Sequence, residues 1–343
     1  VNRTGGMGGG RGGIGGGRGG FGLFDTFVTG LFGNIAFQQI RHRLVQPIVE
    51  TGAEFERVMS SVRALVNDLA KDVNDVSGDF KKLTDGALAL GTAGQFGPVK
   101  VAEAMKELAA AGFNAKQILT SLTPVLQLAV AGEFSVAEAA EVASNTMNAF
   151  RLRAEDLGRV VDVLTVAANE STVTVRDLAE SLHYVAPLSS ALGQSVEEVT
   201  IALALLGNAG IKGSLAGTGL AFSFEQLITK GPKVNSVLEK YGMTFADIDP
   251  RINKITDIVG LFNSKMVSTI DILEIFDTRA GRTFMALSSF GSGRIGAMAE
   301  SVYGSFGKAA EIAAIKMDNV SGAFTRLKST LQVFDVSVFD SIK

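Results

Sequence analysis

Cysteine and tryptophan are absent from the 343 residues, and histidine occurs only as His42 and His183. Without cysteine there is no disulfide, no thiolate nucleophile and no thiolate–zinc site, and the redox compartment stays open. Two histidines so far apart in sequence are too few for the usual histidine-rich metal sites or a recognisable hydrolytic triad. Neither sign of charge dominates: 32 lysines and arginines stand against 35 acids, a net charge of −3. Such a balance gives no general electrostatic reason to bind nucleic acid or a membrane surface. No run of about 18 purely apolar residues occurs, so no ordinary membrane span is evident. The opening VNRTGGMGGGRGG lacks the apolar core of a secretion signal. Alternating β-branched runs are missing as well, and the class expected is all-α.

What is present is apolar residues at 46% and 40 glycines. The chain can bury a sizeable core in two or three packed units. Residues 1–20 are glycine punctuated by Arg3, Arg11 and Arg18, a composition with little to bury, expected to form a flexible arm. Residues 21–45 place Phe24, Phe27, Val28, Leu31, Phe32 and Ile35 at helical spacing, an amphipathic helix. Residues 46–90 hold the clearest period. Phe55, Met59, Val62, Val66, Leu69, Val73, Val76, Phe80 and Leu83 alternate in steps of four and three, as in a coiled-coil seam of about four heptads. The expectation is one long helix, either self-associating through that seam or packing along the protein's own helices.

Residues 91–245 change to short helices in series. Asn114, Ser135, Thr174 and Ser195 each stand three residues before Gln117, Glu138, Asp177 or Glu198. Each pair can form a capping box: the first side chain bonds an open N–H of the first turn and the second reaches back. RLRAEDL, near Glu155, supplies a less well-capped start between them. Pro124 and Pro187 sit late in two of these units and are expected to kink or end their helices. Residues 246–343 continue as less regular amphipathic helices. Met317, Val320, Phe324, Leu327 and Leu331 form a further stripe there, a candidate second long helix. The chain ends in mid-pattern, and the expectation is a piece of something longer.

GNAGIKGSLAGTGL, residues 207–220, has the composition of a phosphate loop. A phosphate loop, however, needs glycines before a lysine that is followed by Ser or Thr, on a strand-to-helix turn. Here Lys212 precedes Gly213 and Ser214, and VEEVTIALALLGNAG before it has a helical pattern. The packing alternative is a tight helical hairpin. Gly207 and Gly210 end one helix, Ser214 caps the next, and Gly213, Gly217 and Ala221 recur every four residues as a face almost without side chains. Gly210, Gly213, Gly217 and Ala221 are the candidate packing motif. Other chemistry is weaker. Glu197 with Glu198, or Glu103 with Glu107, can pose as catalytic pairs, but neighbouring acids on helices are expected on a solvated surface. His183, among Leu182, Tyr184 and Val185, is expected to be a hydrogen-bonded core histidine. No catalytic, metal or cofactor residues are assigned.

One ordered set of phrases goes further. LAAAGF at Leu108, DVLTVAANESTVTVRDL at Asp162, LHYVAP at Leu182, LGQSVEEV at Leu192 and GIKGSLAGTGL at Gly210 together resemble the core region of phage tail tape measure proteins. IFDTRAGRTFMALSS, from Ile275, fits a later phrase of that family loosely. The likeness covers roughly residues 91–230 and extends weakly to Leu331. It implies a structural, non-enzymatic virion protein in the tail interior or at the tail tip, which sets tail length during assembly and is released at infection. Implied partners are further copies of itself, tail tube, distal tail or baseplate hub proteins, and tail assembly chaperones, with no specific nucleic-acid sequence and no cofactor. The family is typically longer and richer in extended helix than this chain. A second reading is a membrane-active protein that penetrates the host envelope during genome ejection. It would act through residues 21–40 and the small-residue hairpin at 207–221, with the host membrane as partner.

Overall fold

The computed structural model describes residues 45–71, 78–93, 96–229 and 234–342. Among the described residues there are 18 α-helices and no strand. The amphipathic segment at 21–44, and Val73 and Val76 of the heptad stripe, lie outside the described residues. Two compact units form: one runs Glu54–Val333, the other takes the described residues up to Ala53 and from Phe334 onward.

The heptad stripe is carried by three helices rather than one: α1 (Gln46–Leu65), α2 (Asn67–Lys71) and α3 (Asp79–Ala93). A bend at Val66 separates α1 from α2, and Gly78 at φ 67° precedes α3. Asn67 and Asp68 suit a helix start better than a helix interior, which fits the break. Phe55, Met59, Val62, Val66, Leu69 and Leu83 are nevertheless all buried within the single chain. Phe80 is half-buried, with the Arg63 guanidinium 5.1 Å above its ring.

The next seven helices follow in short succession: α4 (Pro98–Ala110), α5 (Ala115–Gly132), α6 (Val136–Phe150), α7 (Leu157–Asn169), α8 (Val175–Ala191), α9 (Val196–Asn208) and α10 (Gly213–Thr229). Their starts follow from local chemistry. Asn114 with Gln117, Ser135 with Glu138 and Thr174 with Asp177 each close both bonds of a capping box. Ser195 completes only half of one, accepting from Glu198 N while the Glu198 side chain is held elsewhere. A 3₁₀ turn at Ala154–Asp156 leads into α7, the poorly capped start. The expected proline stops do not occur: α5 continues eight residues beyond Pro124 and α8 four beyond Pro187. Apolar burial of the surrounding turns outweighs the one hydrogen bond each proline removes.

Helix α9 is the hub. All its residues from Val196 to Gly207 are buried, and α7, α8 and α10 pack around it. Short helices complete the surround: α11 (Asn235–Lys240), α12 (Phe245–Ile248), α13 (Ile255–Ser264), α14 (Thr269–Ile275), α15 (Thr278–Ser288) and α16 (Ser292–Tyr303). Of these, α13, α15 and α16 also touch α9. Phe262, Phe276 and Phe284 form an aromatic knot between α13 and α15, with the rings of Phe276 and Phe284 stacked at 4.4 Å. Helix α17 (Lys308–Met317) lies on α5 and α7, and α18 (Val320–Ile342) ends the described chain. In the smaller unit, Gly52 lets the Phe339 ring approach so closely that a Cβ there would lie 2.2 Å from it.

Truncating the knot tests the core. Phe284→Ala is expected to cost about 3–5 kcal/mol of unfolding free energy, read by urea titration. A loss under about 1 kcal/mol would mean that the knot is not part of the cooperative core.

Candidate functional site

The glycine stretch is built as a three-way joint. Helix α9 ends at Asn208, and Gly210 at φ 82° turns the chain while Ile211 N bonds back to Leu206 O at 2.9 Å. Gly213, at φ 57°, is the first residue of α10, so Ser214 lies inside the helix rather than capping it. A side chain at Gly217 would place its Cβ 2.2 Å from the carbonyl oxygen of Ser181 on α8. At Gly213 it would meet the Glu180 carboxylate at 2.6 Å. The close partner of the small-residue face is therefore α8, not the hairpin partner α9.

The opposite side of α10 carries a second contact that the four-residue spacing did not single out. A Cβ on Gly219 would lie 2.1 Å from the Thr283 hydroxyl of α15, and Ser223 bonds Ala280 O at 3.3 Å. Gly207, still inside α9, does the same for Val173, at 2.0 Å. The loop at 171–173 is stitched to this joint. Thr172 donates its hydroxyl to Gly207 O at 2.7 Å and its N–H to Asn208 Oδ1 at 2.9 Å. Lys212 donates its ammonium to Thr172 O. The lysine that suggested a phosphate loop thus holds a backbone carbonyl.

The acids that the sequence placed on the surface are inside. Glu197 and Glu198 are buried on α9, with Glu198 only 2% exposed. The error has a physical cause: a helix buried all round has no solvated face to which charges can be assigned. Glu197 accepts from Arg159 of α7. Glu198 accepts from the Thr256 hydroxyl at 2.5 Å and from the Tyr303 hydroxyl, joining the start of α13 to the end of α16. Lys254 stands 3.6 Å from the same carboxylate and 4.8 Å above the Tyr303 ring. Burial, and then the bond to Glu198, push the Tyr303 hydroxyl above its ordinary pKa. Asp162 of α7 is buried too and accepts from Gly307 N at 2.8 Å and Ala309 N at 2.9 Å, capping α17 from a remote part of the chain. Glu103 and Glu107 are half-buried beside Lys100 and Lys106. The signal for the burial of Glu197 and Glu198 was the unbroken apolar run IALALLG after them; their partners carry no local mark.

His183 is exposed rather than in the core, edge-on to Tyr184 at 5.2 Å. The period of α8 turns Leu182 and Val185 inward and leaves the histidine beside an open groove of about 480 Å³ between α6 and α8. Glu138, Glu141 and Arg176 share that groove, so its walls carry both signs of charge. Among the described residues no cluster of His, Asp or Glu could hold a metal ion. No single described helix is long and apolar enough to cross a membrane; α5 and α6 pass together by length and composition only, bent by 112°.

Residues 84–274, containing the glycine joint, the capped helices and the buried acids, match the model of the phage-related minor tail protein family. The chain belongs to that family. It is similar to the tape measure protein of Pneumococcus phage Dp-1, with 25% identity over 285 residues, 81% of this chain and 24% of that protein. It is also similar to the probable tape measure protein of Escherichia phage P2, with 24% identity over 298 residues, 84% of this chain and 36% of that protein. The minor tail chain therefore spans only about a quarter to a third of these relatives. No solved structure matches it.

Two predictions follow from the geometry. Gly217→Ala is expected to destabilise by more than about 2 kcal/mol despite alanine's better helix propensity, because its Cβ meets a backbone oxygen that cannot move aside. Gly210→Asn, at a left-handed position with open space, is expected to cost no more than about 1 kcal/mol. Equal costs in thermal unfolding would contradict the joint. Asp271, meanwhile, accepts from Lys240 at 2.8 Å, Ser268 at 2.5 Å and Tyr241 at 2.5 Å. These bonds, the lysine's first, hold its carboxyl down to about 2. The folded-state value is below the ordinary one, so its stabilisation is full above about pH 4 and is lost as pH falls towards 2. Asp271→Asn is expected to flatten the dependence of stability on pH in that window and nowhere above it. An unchanged acid slope would remove Asp271 from the account.

Proposed function

We propose that this minor tail chain is the folded core of a tail tape: a structural component that lies in the tail tube lumen, sets tail length while tube rings assemble, and leaves at infection. The observation that carries the reading is the family match across residues 84–274, supported by two relatives whose names are tape measure proteins. The action is geometric and not catalytic: a helical body of fixed extent limits how many rings assemble around it. The chemistry of the described residues is in keeping with that role. The buried acids Asp162, Glu197, Glu198 and Asp271 are engaged by helix termini, arginine, lysine, serine and tyrosine. The partners in this reading are further copies of the chain, tail tube and distal tail or hub proteins, and assembly chaperones.

The ruler role is tested in the whole protein, in an infecting phage. Inserting about 40 residues of heptad helix into α18 is expected to lengthen the tail by about 60 Å at 1.5 Å per residue, measured by electron microscopy of purified particles. Tails of unchanged length would overturn the ruler role for this part of the chain.

A further inference from the structure

Helix α17 is fastened to the core by its ends more than by its underside. Of its ten residues only Ala309 and Ala313, 1% and 5% exposed, are buried. Two alanines remove little apolar surface from water, and hydrophobic stabilisation follows that surface. Beside its last turn the fit on α5 stays open: Lys316 lines a hollow of about 330 Å³ with Phe96, Ala129, Val130 and Phe134. The polar bonds are concentrated at the two ends. At the first turn Asp162 of α7 accepts from Gly307 N at 2.8 Å and Ala309 N at 2.9 Å. At the last turn Lys316 donates to Ala131 O at 2.7 Å and to the Glu133 carboxylate at 2.9 Å. Glu133 ends α5 at φ 58°, a left-handed conformation that is unfavourable for a residue with a Cβ. The Lys316 ammonium, by that bond and then by its charge, holds the Glu133 carboxyl below the usual carboxylate range.

The chain before α17 is pliable. Gly304 and Gly307, the second at φ 76°, stand on either side of Ser305 and of Phe306, which is 93% exposed. We infer that residues 307–317 are a strap that lifts from α5 and α7 as a unit while the core around α9 stays folded. The hydrogen bonds inside α17 travel with it, so lifting breaks only the polar bonds at its ends and uncovers two alanines. Water takes the place of the lost partners of Asp162, Ala131 O and the first-turn N–H groups, which offsets much of that loss. Helix α9 has no such route, because every residue from Val196 to Gly207 is buried. Openings below the global one arise where few apolar contacts are buried, as under α17. The pin at the last turn is also open to solvent, with the Lys316 and Glu133 side chains 38% and 80% exposed, so dissolved salt weakens it. The lifting is a property of the chain in solution. That it marks where a folded body begins to come apart on leaving a tail rests on the reading above.

Hydrogen exchange on the complete 343-residue chain reads the opening. Amides of 310–316 are expected to exchange at least about 100-fold faster than those of 199–206 in native buffer. Salt at about 1 M is expected to speed the first group and not the second. Exposure of the underside is read with single cysteines, because the chain has none of its own. Ala313→Cys is expected to react with a maleimide at least about 100-fold faster than Ala204→Cys on α9, although both alanines are buried. Lys316→Met keeps the stem and removes the ammonium. It is expected to speed labelling of Ala313→Cys about tenfold, to abolish the effect of salt and to leave exchange in α9 unchanged. Equal protection of α17 and α9 in the wild type would overturn the strap, since opening would then be global unfolding. So would fast exchange in α17 with Ala313→Cys as unreactive as Ala204→Cys, which is fraying in place. Loosening of α17 and α9 alike by Lys316→Met would overturn it too. All of these readings are made without a tail, so failure of the ruler test leaves them untouched.

Discussion

Helix α10 lies so close to α8 that the carbonyl oxygen of Ser181 occupies the space a side chain at 217 would need. Only glycine permits that approach, and most of the larger unit follows from it. With α10 drawn onto α8, its other side is free to receive α15 at Gly219, and α9 is enclosed between neighbours on every side. The loop at 171–173 then reaches the end of α9 and is tied there by Thr172 and Lys212. Sequence, turn and packing meet in fourteen residues, and that stretch lies within the part that matches the family.

Enclosing α9 creates a second constraint. A carboxylate inside a packed helix costs free energy unless its lone pairs are bonded. Glu197 and Glu198 meet that condition with partners from α7, from the start of α13 and from the end of α16. Asp162 meets it with the open N–H groups of α17, which need an acceptor in turn. Glu198 and Asp162 thus fix where later helices begin or end, while Glu197 ties α9 to the earlier α7. The acids work as positioning devices between segments far apart in sequence.

How much was legible depended on range. The all-α class and the starts at Asn114, Ser135 and Thr174 were readable because a cap is complete within four residues. The start at Ser195 was readable too, but not the loss of its second bond, because Glu198 is claimed by Tyr303, 105 residues away. The period of 55–83 marked six buried residues and the half-buried Phe80 among those described, but not the break at Val66. A hydrophobic stripe records which side faces inward, not whether one helix or three carry it. The glycines showed that something approaches closely; which helix does so depended on contacts no local pattern encodes. Gly219 and Gly207 were in plain view and lacked only the four-residue spacing that drew attention to their neighbours.

The most direct measurement of the central claim is a cryo-electron microscopy map of the assembled tail with symmetry relaxed inside the tube. The account predicts helical density in the lumen into which the α8–α10 joint can be placed. A lumen without such density, or the joint found on the outer surface of the tail, would contradict it.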